Sequence, residues 1–247
     1  MKFKTLLAVA TVAVSGAANA VLENGNDGEL VFSAWDPVNQ VSYTQDLGVR
    51  HNAILGEYAN ASYSLSFNVD PLYNTVFTSS NVNDIIWNVS SASTDFFGNY
   101  GVQFTTLDPA PAAFGNFQNL ANVAAQHVQY SQALQGVNPA AGDIAYEGNT
   151  TNGAYAGSPS LWNTNWAGQG GVLNNTASIG DSMNWFFMGL SADFSTAALR
   201  DEALADWTFD GTNLNFASTV VPVPAAAWLL ASGLIGLSTI TRRRKTA

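Results

Sequence analysis

The sequence predicts a mainly β protein: an antiparallel β-sandwich-like domain with one or two inserted helices, followed by a C-terminal transmembrane helix. Apolar and polar residues alternate with a period of two in most segments between residues 21 and 219, and Gly, Asn, Asp and Pro separate these segments. The uncharged run at 220–240 matches the roughly 20 residues that a helix needs to cross a bilayer. Short alternating strands with few helices favour the sandwich.

Strands are expected where the alternation is clearest, at 30–35, 41–49, 63–69, 84–89, 101–107 and 183–190. Near the end of the domain, 207–209 and 212–216 flank Asp210-Gly211 and indicate a β-hairpin. An Asp-Gly pair supplies the positive φ angles of a type I′ turn, so the sequence predicts that turn here.

Two segments depart from the period of two and predict helices. Residues 117–134 place Leu120, Val123, His127 and Leu134 at helical spacing, and Gly136 follows as a stop signal. A shorter helix is expected at 196–205. Residues 147–178 are rich in Gly, Asn, Ser and Thr and predict a long loop.

The N-terminus has the three parts of a secretory signal peptide. Lys2 and Lys4 precede an apolar run at 5–14, and Ala18 and Ala20 form a small-residue cleavage site. The sequence therefore predicts export, with cleavage by signal peptidase after Ala20. Residues 1–20 are thus expected to be the signal peptide, and residues 21–219 the extracellular β-rich domain.

The C-terminal segment 220–247 predicts membrane anchorage. Trp228 suits the outer interface of the predicted membrane helix, and a basic cluster follows that helix. The positive-inside rule places this cluster in the cytoplasm and the body of the protein outside. The cluster consists of Arg242, Arg243, Arg244 and Lys245.

The tail also carries a proline motif just before its membrane helix, formed by Val221, Pro222, Val223, Pro224 and Ala225. Motif, helix and basic cluster together resemble the bacterial PEP-CTERM protein-sorting signal, in the variant written VPLPA. Val223 stands where the Pro-Glu-Pro form of the family has Glu. An uncleaved tail anchor is the alternative, because hydropathy and charge suit it equally.

The resemblance implies a processing partner and a destination. Tails of this family are recognised by an exosortase, a membrane cysteine enzyme that cleaves near the proline motif. The expected course is an inner-membrane anchored precursor followed by sorting to the cell surface or to an extracellular polysaccharide matrix. We therefore expect a non-enzymatic surface or matrix protein.

Composition excludes several classes of function. Only 11% of the 247 residues are charged and the net charge is -10, with all the Asp and Glu lying between Glu23 and Asp210. Such a domain repels phosphate backbones, which excludes nucleic acids as partners. Because the chain has no Cys, disulfides, thiolate nucleophiles and Cys-ligated zinc are excluded as well.

Catalytic and metal-binding patterns are also missing from the sequence. His51 and His127 are isolated in sequence and are expected to be structural histidines. The segment Gly180-Asp181-Ser182-Met183 resembles the nucleophile block of GDSL-type hydrolases, yet no His follows it to act as base. We expect neither catalytic residues nor a metal centre, and a secreted hydrolase is the less favoured alternative.

Residues 24–29 offer side-chain oxygens in an acidic domain, which suggests a structural calcium ion. The alternating register of an EF-hand is absent, and a turn leading into the first strand is the favoured interpretation. No other cofactor is expected.

Two tryptophans suggest a different ligand. Trp162 and Trp166 lie beside Asn163, Asn165 and Gln169, so that exposed rings would stack on sugars while the amides bond hydroxyl groups. A carbohydrate-binding module of the exopolysaccharide matrix is thus the alternative function. Burial of one or both rings in the core is the competing interpretation.

Overall fold

The computed structural model describes residues 27–55, 63–95, 100–107, 117–137, 144–158, 175–190 and 197–218, together with the pair Val12–Ala13. The described chain is mainly β. Nine strands form one curled antiparallel sheet, a half-barrel, and a helix packs on it.

Eleven strands and three α-helices follow each other along the described chain. The strands are β1 (Val12–Ala13), β2 (Glu29–Asp36), β3 (Val41–Arg50), β4 (Ser64–Asn68), β5 (Ile86–Ser93), β6 (Gly101–Thr106), β7 (Ala145–Asn149), β8 (Ala177–Ser178), β9 (Ser182–Leu190), β10 (Ala197–Phe209) and β11 (Asn213–Ser218). The helices are α1 (His51–Leu55), α2 (Leu72–Val76) and α3 (Phe117–Val137), with a 3₁₀ turn at Val82–Asp84.

The curled sheet has the strand order β4-β11-β10-β9-β6-β5-β2-β3-β7, and every neighbouring pair in it is antiparallel. Short strands flank this path. β1 pairs in parallel with β4, and β8 pairs with β5.

The inside of the curl holds an aromatic core. Phe32 on β2 and Phe209 on β10 lie 4.8 Å apart between ring centroids, although β9, β6 and β5 separate their strands in the sheet. The sheet therefore bends far enough for its two halves to pack against each other. This inner core includes Phe32, Tyr43, Phe67, Tyr73, Trp87, Trp185, Phe187, Trp207, Phe209 and Phe216.

Side chains bridge the two ends of the sheet where β3 approaches β4. Gln45 Nε2 donates a hydrogen bond of 3.2 Å to the carbonyl oxygen of Asn68. The hydroxyl of Tyr43 accepts from the backbone N–H of Asp70 at 2.9 Å and donates to Gln45 Oε1 at 2.6 Å. Tyr73 of α2 packs edge-on against Tyr43 at 5.4 Å. The hydrogen bonds of Tyr43 and Gln45, together with helix α2, thus cover the gap between β3 and β4.

Helix α3 packs on the opposite face of the sheet. Its buried side chains recur at helical spacing and meet the outward-facing residues of β2, β6 and β9. Tyr130 also hydrogen-bonds Thr44, whose hydroxyl lies 3.3 Å from that of Ser33. This outer core contains Val31, Trp35, Val102, Phe104, Leu120, Val123, Leu134, Phe186 and Met188.

The structure confirms the mainly β, antiparallel fold with an inserted helix, but the strands form one curled sheet and not two stacked ones. A sheet that bends on itself buries its apolar inner face without a second sheet. The predicted long helix is confirmed as α3, which extends to Val137.

The helix predicted at 196–205 is wrong, because this segment forms the first part of β10. Ala, Leu, Arg and Glu favour a helix in isolation, but here five residues of the segment pair with the open side of β9. The pairing of β10 with β9 is irregular in this segment, with register shifts between Leu199 and Asp201 and between Glu202 and Asp206.

The hairpin of β10 and β11 is confirmed, but its type I′ turn is wrong. β10 ends at Phe209 and β11 begins at Asn213, which leaves residues 210–212 for the turn. Gly211 has a φ of 94°, whereas Asp210 has no positive φ. The Asp210 carboxylate instead accepts from the N–H groups of Thr212 and Asn213, at 2.8 and 2.6 Å. Three residues and an Asx turn replace the predicted two-residue turn.

Candidate functional site

Most residues that the sequence singles out lie outside the described part of the chain. This holds for the cleavage residues Ala18 and Ala20 and for Trp162 and Trp166. It holds equally for the sorting motif Val221, Pro222, Val223, Pro224 and Ala225 and for the basic cluster Arg242, Arg243, Arg244 and Lys245. The membrane helix expected at 220–240 is outside it too, and none of the described helices has the length and apolar character of a membrane span.

The calcium segment is described from Asp27 onwards. Asp27 Oδ1 accepts a 2.9 Å hydrogen bond from the backbone N–H of Asn52 in the first turn of α1. Gly28 makes two backbone hydrogen bonds: its N–H donates to the carbonyl of Ala92, and its carbonyl accepts from the N–H of His51. This geometry is that of a turn leading into β2. Within the described ranges, no cluster of three or more His, Asp or Glu residues could hold a metal ion.

His51 belongs to a polar cluster inside the curled sheet. Its Nδ1 lies 2.8 Å from the hydroxyl of Ser91, and its backbone carbonyl accepts a 2.7 Å hydrogen bond from Gln103. The imidazole also packs edge-on against Phe187, at 5.4 Å between centroids. A serine nucleophile with a histidine base must reach its substrate, yet His51, Ser91 and Gln103 are all 0% exposed. In this geometry the cluster joins α1 to β5 and β6.

His127 is buried in the packed face of α3. Burial lowers the pKa of its imidazole to about 3, because the charged form loses its hydration. The ring is therefore neutral at physiological pH. Its place among the apolar side chains of α3 is that of a core residue.

The outward-facing side chains of β4, β10 and β11 form a polar face that the sequence alone did not predict. Ser66 pairs with Asn215, and Asn215 in turn pairs with Thr208. The Ser66 hydroxyl donates a 2.8 Å hydrogen bond to Asn215 Oδ1. The polar face comprises Ser64, Ser66, Asn68, Asp206, Thr208, Asn213 and Asn215, all exposed or half-buried.

The chemistry of the polar face is that of neutral hydrogen-bonding groups. Hydroxyls and amides donate and accept, and Asp206 adds one carboxylate whose pKa is raised by burial. Such a surface suits ligands rich in hydroxyl groups or water. The alternation of Ser64, Ser66 and Asn68 was visible in the sequence, but the neighbouring strand was not.

Tryptophans in the described ranges serve the core. Trp35, Trp87, Trp185 and Trp207 are at most 1% exposed.

Comparisons with protein-family models, with curated proteins and with solved structures find no match to this chain.

Proposed function

We propose that this chain is an exported bacterial surface or extracellular-matrix protein without enzymatic activity, sorted through its C-terminal tail. The observation that carries the proposal is the order of parts in the tail. The tail contains a proline motif at 221–225, then an uncharged run, then a basic cluster. This is the order of parts in the sorting signal that the tail resembles. The secretory signal at 1–20 supplies the export that such sorting needs.

The proline motif has properties that suit a processing site. Proline fixes φ, lacks an N–H donor and pushes the preceding residue toward extended conformations. Pro222 and Pro224 alternate with Val221 and Val223, so the backbone of 221–224 favours an extended form. Proteases and transpeptidases commonly take their substrates as extended chain. With the basic cluster on the cytoplasmic side, this segment would lie at the outer face of the inner membrane.

The fold supports a body that survives removal of the tail. β11 ends at Ser218, and it lies between β4 and β10 in the sheet. Its cross-strand partners, from Ala205 to Phe209 and from Ser64 to Asn68, all precede the proline motif. Cleavage near Pro224 therefore removes no hydrogen bond of the described sheet.

The first prediction concerns processing of the tail in the native host. Intact-mass spectrometry of surface and medium fractions is expected to show a chain that ends near Pro224 when the exosortase is present. Deleting the exosortase, or replacing both prolines in a Pro222→Ala, Pro224→Ala variant, should leave most of the protein with its tail. The reason is that the recognised extended segment is lost.

Thr219→Ala, which lies just outside the motif, is the matched control and should be processed like the wild type. A mass that runs through Ala247 in both strains would contradict sorting. It would identify an ordinary tail-anchored protein.

Binding of matrix polysaccharide by Trp162 and Trp166 is the second candidate function. It is favoured by the polar face, which offers hydroxyl and amide groups in hydrogen-bonded strands rather than charges. The Trp162→Ala, Trp166→Ala variant is expected to bind the host's polysaccharide about tenfold more weakly, since stacking of two aromatic rings is lost.

Trp162→Phe, Trp166→Phe keeps both aromatic faces and is expected to retain most of the binding. Isothermal titration or co-sedimentation measures the affinity. Equal affinity of the wild type and the Ala variant, with intact folding, would remove this function. Turnover on a panel of polysaccharides and esters would instead reveal the hydrolase, and we expect none.

A further inference from the structure

The edge of β4 is the place where the sheet meets a segment that export removes. On one side β4 pairs with β11 along its whole length. On the other side, within the described residues, it pairs only with Val12–Ala13, which lie in parallel opposite Leu65 and Ser66. Those two residues belong to the signal peptide expected at 1–20. The inference below rests on the proposed export of the chain.

Register identifies the backbone groups that this edge presents. The N–H of Val69 donates to the carbonyl of Thr212 at 3.0 Å. In an antiparallel pair, successive residues point their N–H and C=O groups to opposite sides. Leu65 and Phe67 therefore face β11, while Ser64, Ser66 and Asn68 face the open side. The carbonyl of Asn68 confirms this, since it accepts from Gln45 Nε2 across the gap.

Cleavage after Ala20 would leave the backbone groups of Ser64 and Ser66 without Val12–Ala13. Natural sheets protect such edges with Lys, Pro, inward-pointing charges or bulges. β4 reads Ser-Leu-Ser-Phe-Asn and has none of the protecting residues. Without Val12–Ala13, no other described residue pairs with the outward N–H and C=O groups of Ser64 and Ser66. An uncharged, regularly alternating strand of this kind is a template for another strand.

We infer that in the processed chain β4 pairs with β4 of a second copy, antiparallel and related by a two-fold axis near Leu65. Ser64 of each protomer then lies opposite Ser66 of its partner, and the pair exchanges N–H···O=C bonds in both directions. The strand is self-complementary in this arrangement. The polar face continues across the junction.

Charge favours this occupant. Without its signal peptide and tail, the chain keeps two Arg and 18 Asp and Glu, a net charge of -16 that opposes most contacts between copies. The β4 edge has no charged residue, and Asp70 lies beyond the paired positions. Pairing at this edge therefore brings no like charges face to face. Molecules held on one surface by their tails would also meet at high local concentration.

The test uses the chain released from the cell surface, whose first residue is determined by intact mass. Sedimentation velocity of the chain starting at Val21 is expected to show a dimer at micromolar concentration. Ser66→Pro removes the outward N–H but no bond to β11, and should be monomeric. Ser66→Val keeps the N–H and should remain a dimer. Circular dichroism checks that both variants are folded.

A monomeric wild type, or a dimeric Ser66→Pro variant, would overturn the pairing. If the released chain still starts at Met1, the export proposal is wrong. The same measurement on a chain expressed from Val21 then decides the edge pairing independently.

Discussion

Replacing Trp207 by Ala is expected to lower the free energy of unfolding by about 3–5 kcal/mol. The Trp207 side chain is 0% exposed. Its ring lies 5.0 Å from Phe216 on β11, 5.7 Å from Trp185 on β9 and 6.3 Å from Phe67 on β4, measured between centroids. Removing it opens a cavity between three strands. A domain of this kind has about 5–15 kcal/mol of stability in total, so the loss is a large share.

Two further variants serve as controls for the Trp207→Ala result. The Trp207 Nε1–H has no hydrogen-bond partner in the described structure, so Trp207→Phe loses volume but no hydrogen bond and should cost less than the Ala variant. Thr208→Ala changes the next residue, which points to the polar face and is exposed, and should stay within about 0.5 kcal/mol of the wild type. Urea unfolding followed by far-ultraviolet circular dichroism measures all three. Equal midpoints for the Trp207→Ala and Thr208→Ala variants would contradict the inner core.

The strands could be predicted where apolar inner residues alternate with polar outer ones, as Leu65 and Phe67 do with Ser64 and Ser66 in β4. The curl could not, and β2 shows why. Its inner residues Phe32 and Ala34 and its outer residues Val31 and Trp35 are all buried. A strand with two apolar faces is covered on both sides. The pattern does not say whether the cover is a second sheet, a helix such as α3, or the same sheet bent back.

Segment 197–205 shows a different limit. Helix propensity is a local property worth tenths of a kcal/mol per residue, whereas pairing with β9 depends on residues 182–190 being alongside. The prediction failed because the tertiary ladder outweighed the local preference. The predicted type I′ turn is wrong for a local reason, because the Asp210 carboxylate accepts from the N–H groups two and three residues on.

Some functional features could be read from the sequence alone, and others required the fold. The two ends of the chain are informative because length, hydropathy and charge order are one-dimensional properties, readable at 1–20 and 220–247 without a fold. The polar face depends instead on register. Ser66 and Asn215 are far apart in sequence, and only the pairing of β4 with β11 brings their side chains within 2.8 Å.

Acid is expected to destabilise the domain through His127. Burial lowers the pKa of this imidazole to about 3 in the folded chain, whereas an exposed histidine in the unfolded chain titrates near 6.5. Between these values the unfolded state binds the proton and the folded state does not. Stability is therefore complete above pH 6.5 and falls as the pH drops, by about 1.4 kcal/mol for each unit down to about pH 3.

The variant His127→Gln isolates this contribution, because Gln does not titrate. Its stability at neutral pH is expected to be lower than that of the wild type, since a shaped core position is altered. The gap should narrow as the pH falls, with a slope difference of about 1.4 kcal/mol per unit below pH 6. Asp36 and Asp210, whose pKa values are lowered by hydrogen bonds to their carboxylates, add an acid loss of their own. That loss is common to both proteins and cancels in the comparison. Urea unfolding at successive pH values gives the two curves, and parallel curves would show that His127 is not the group that titrates.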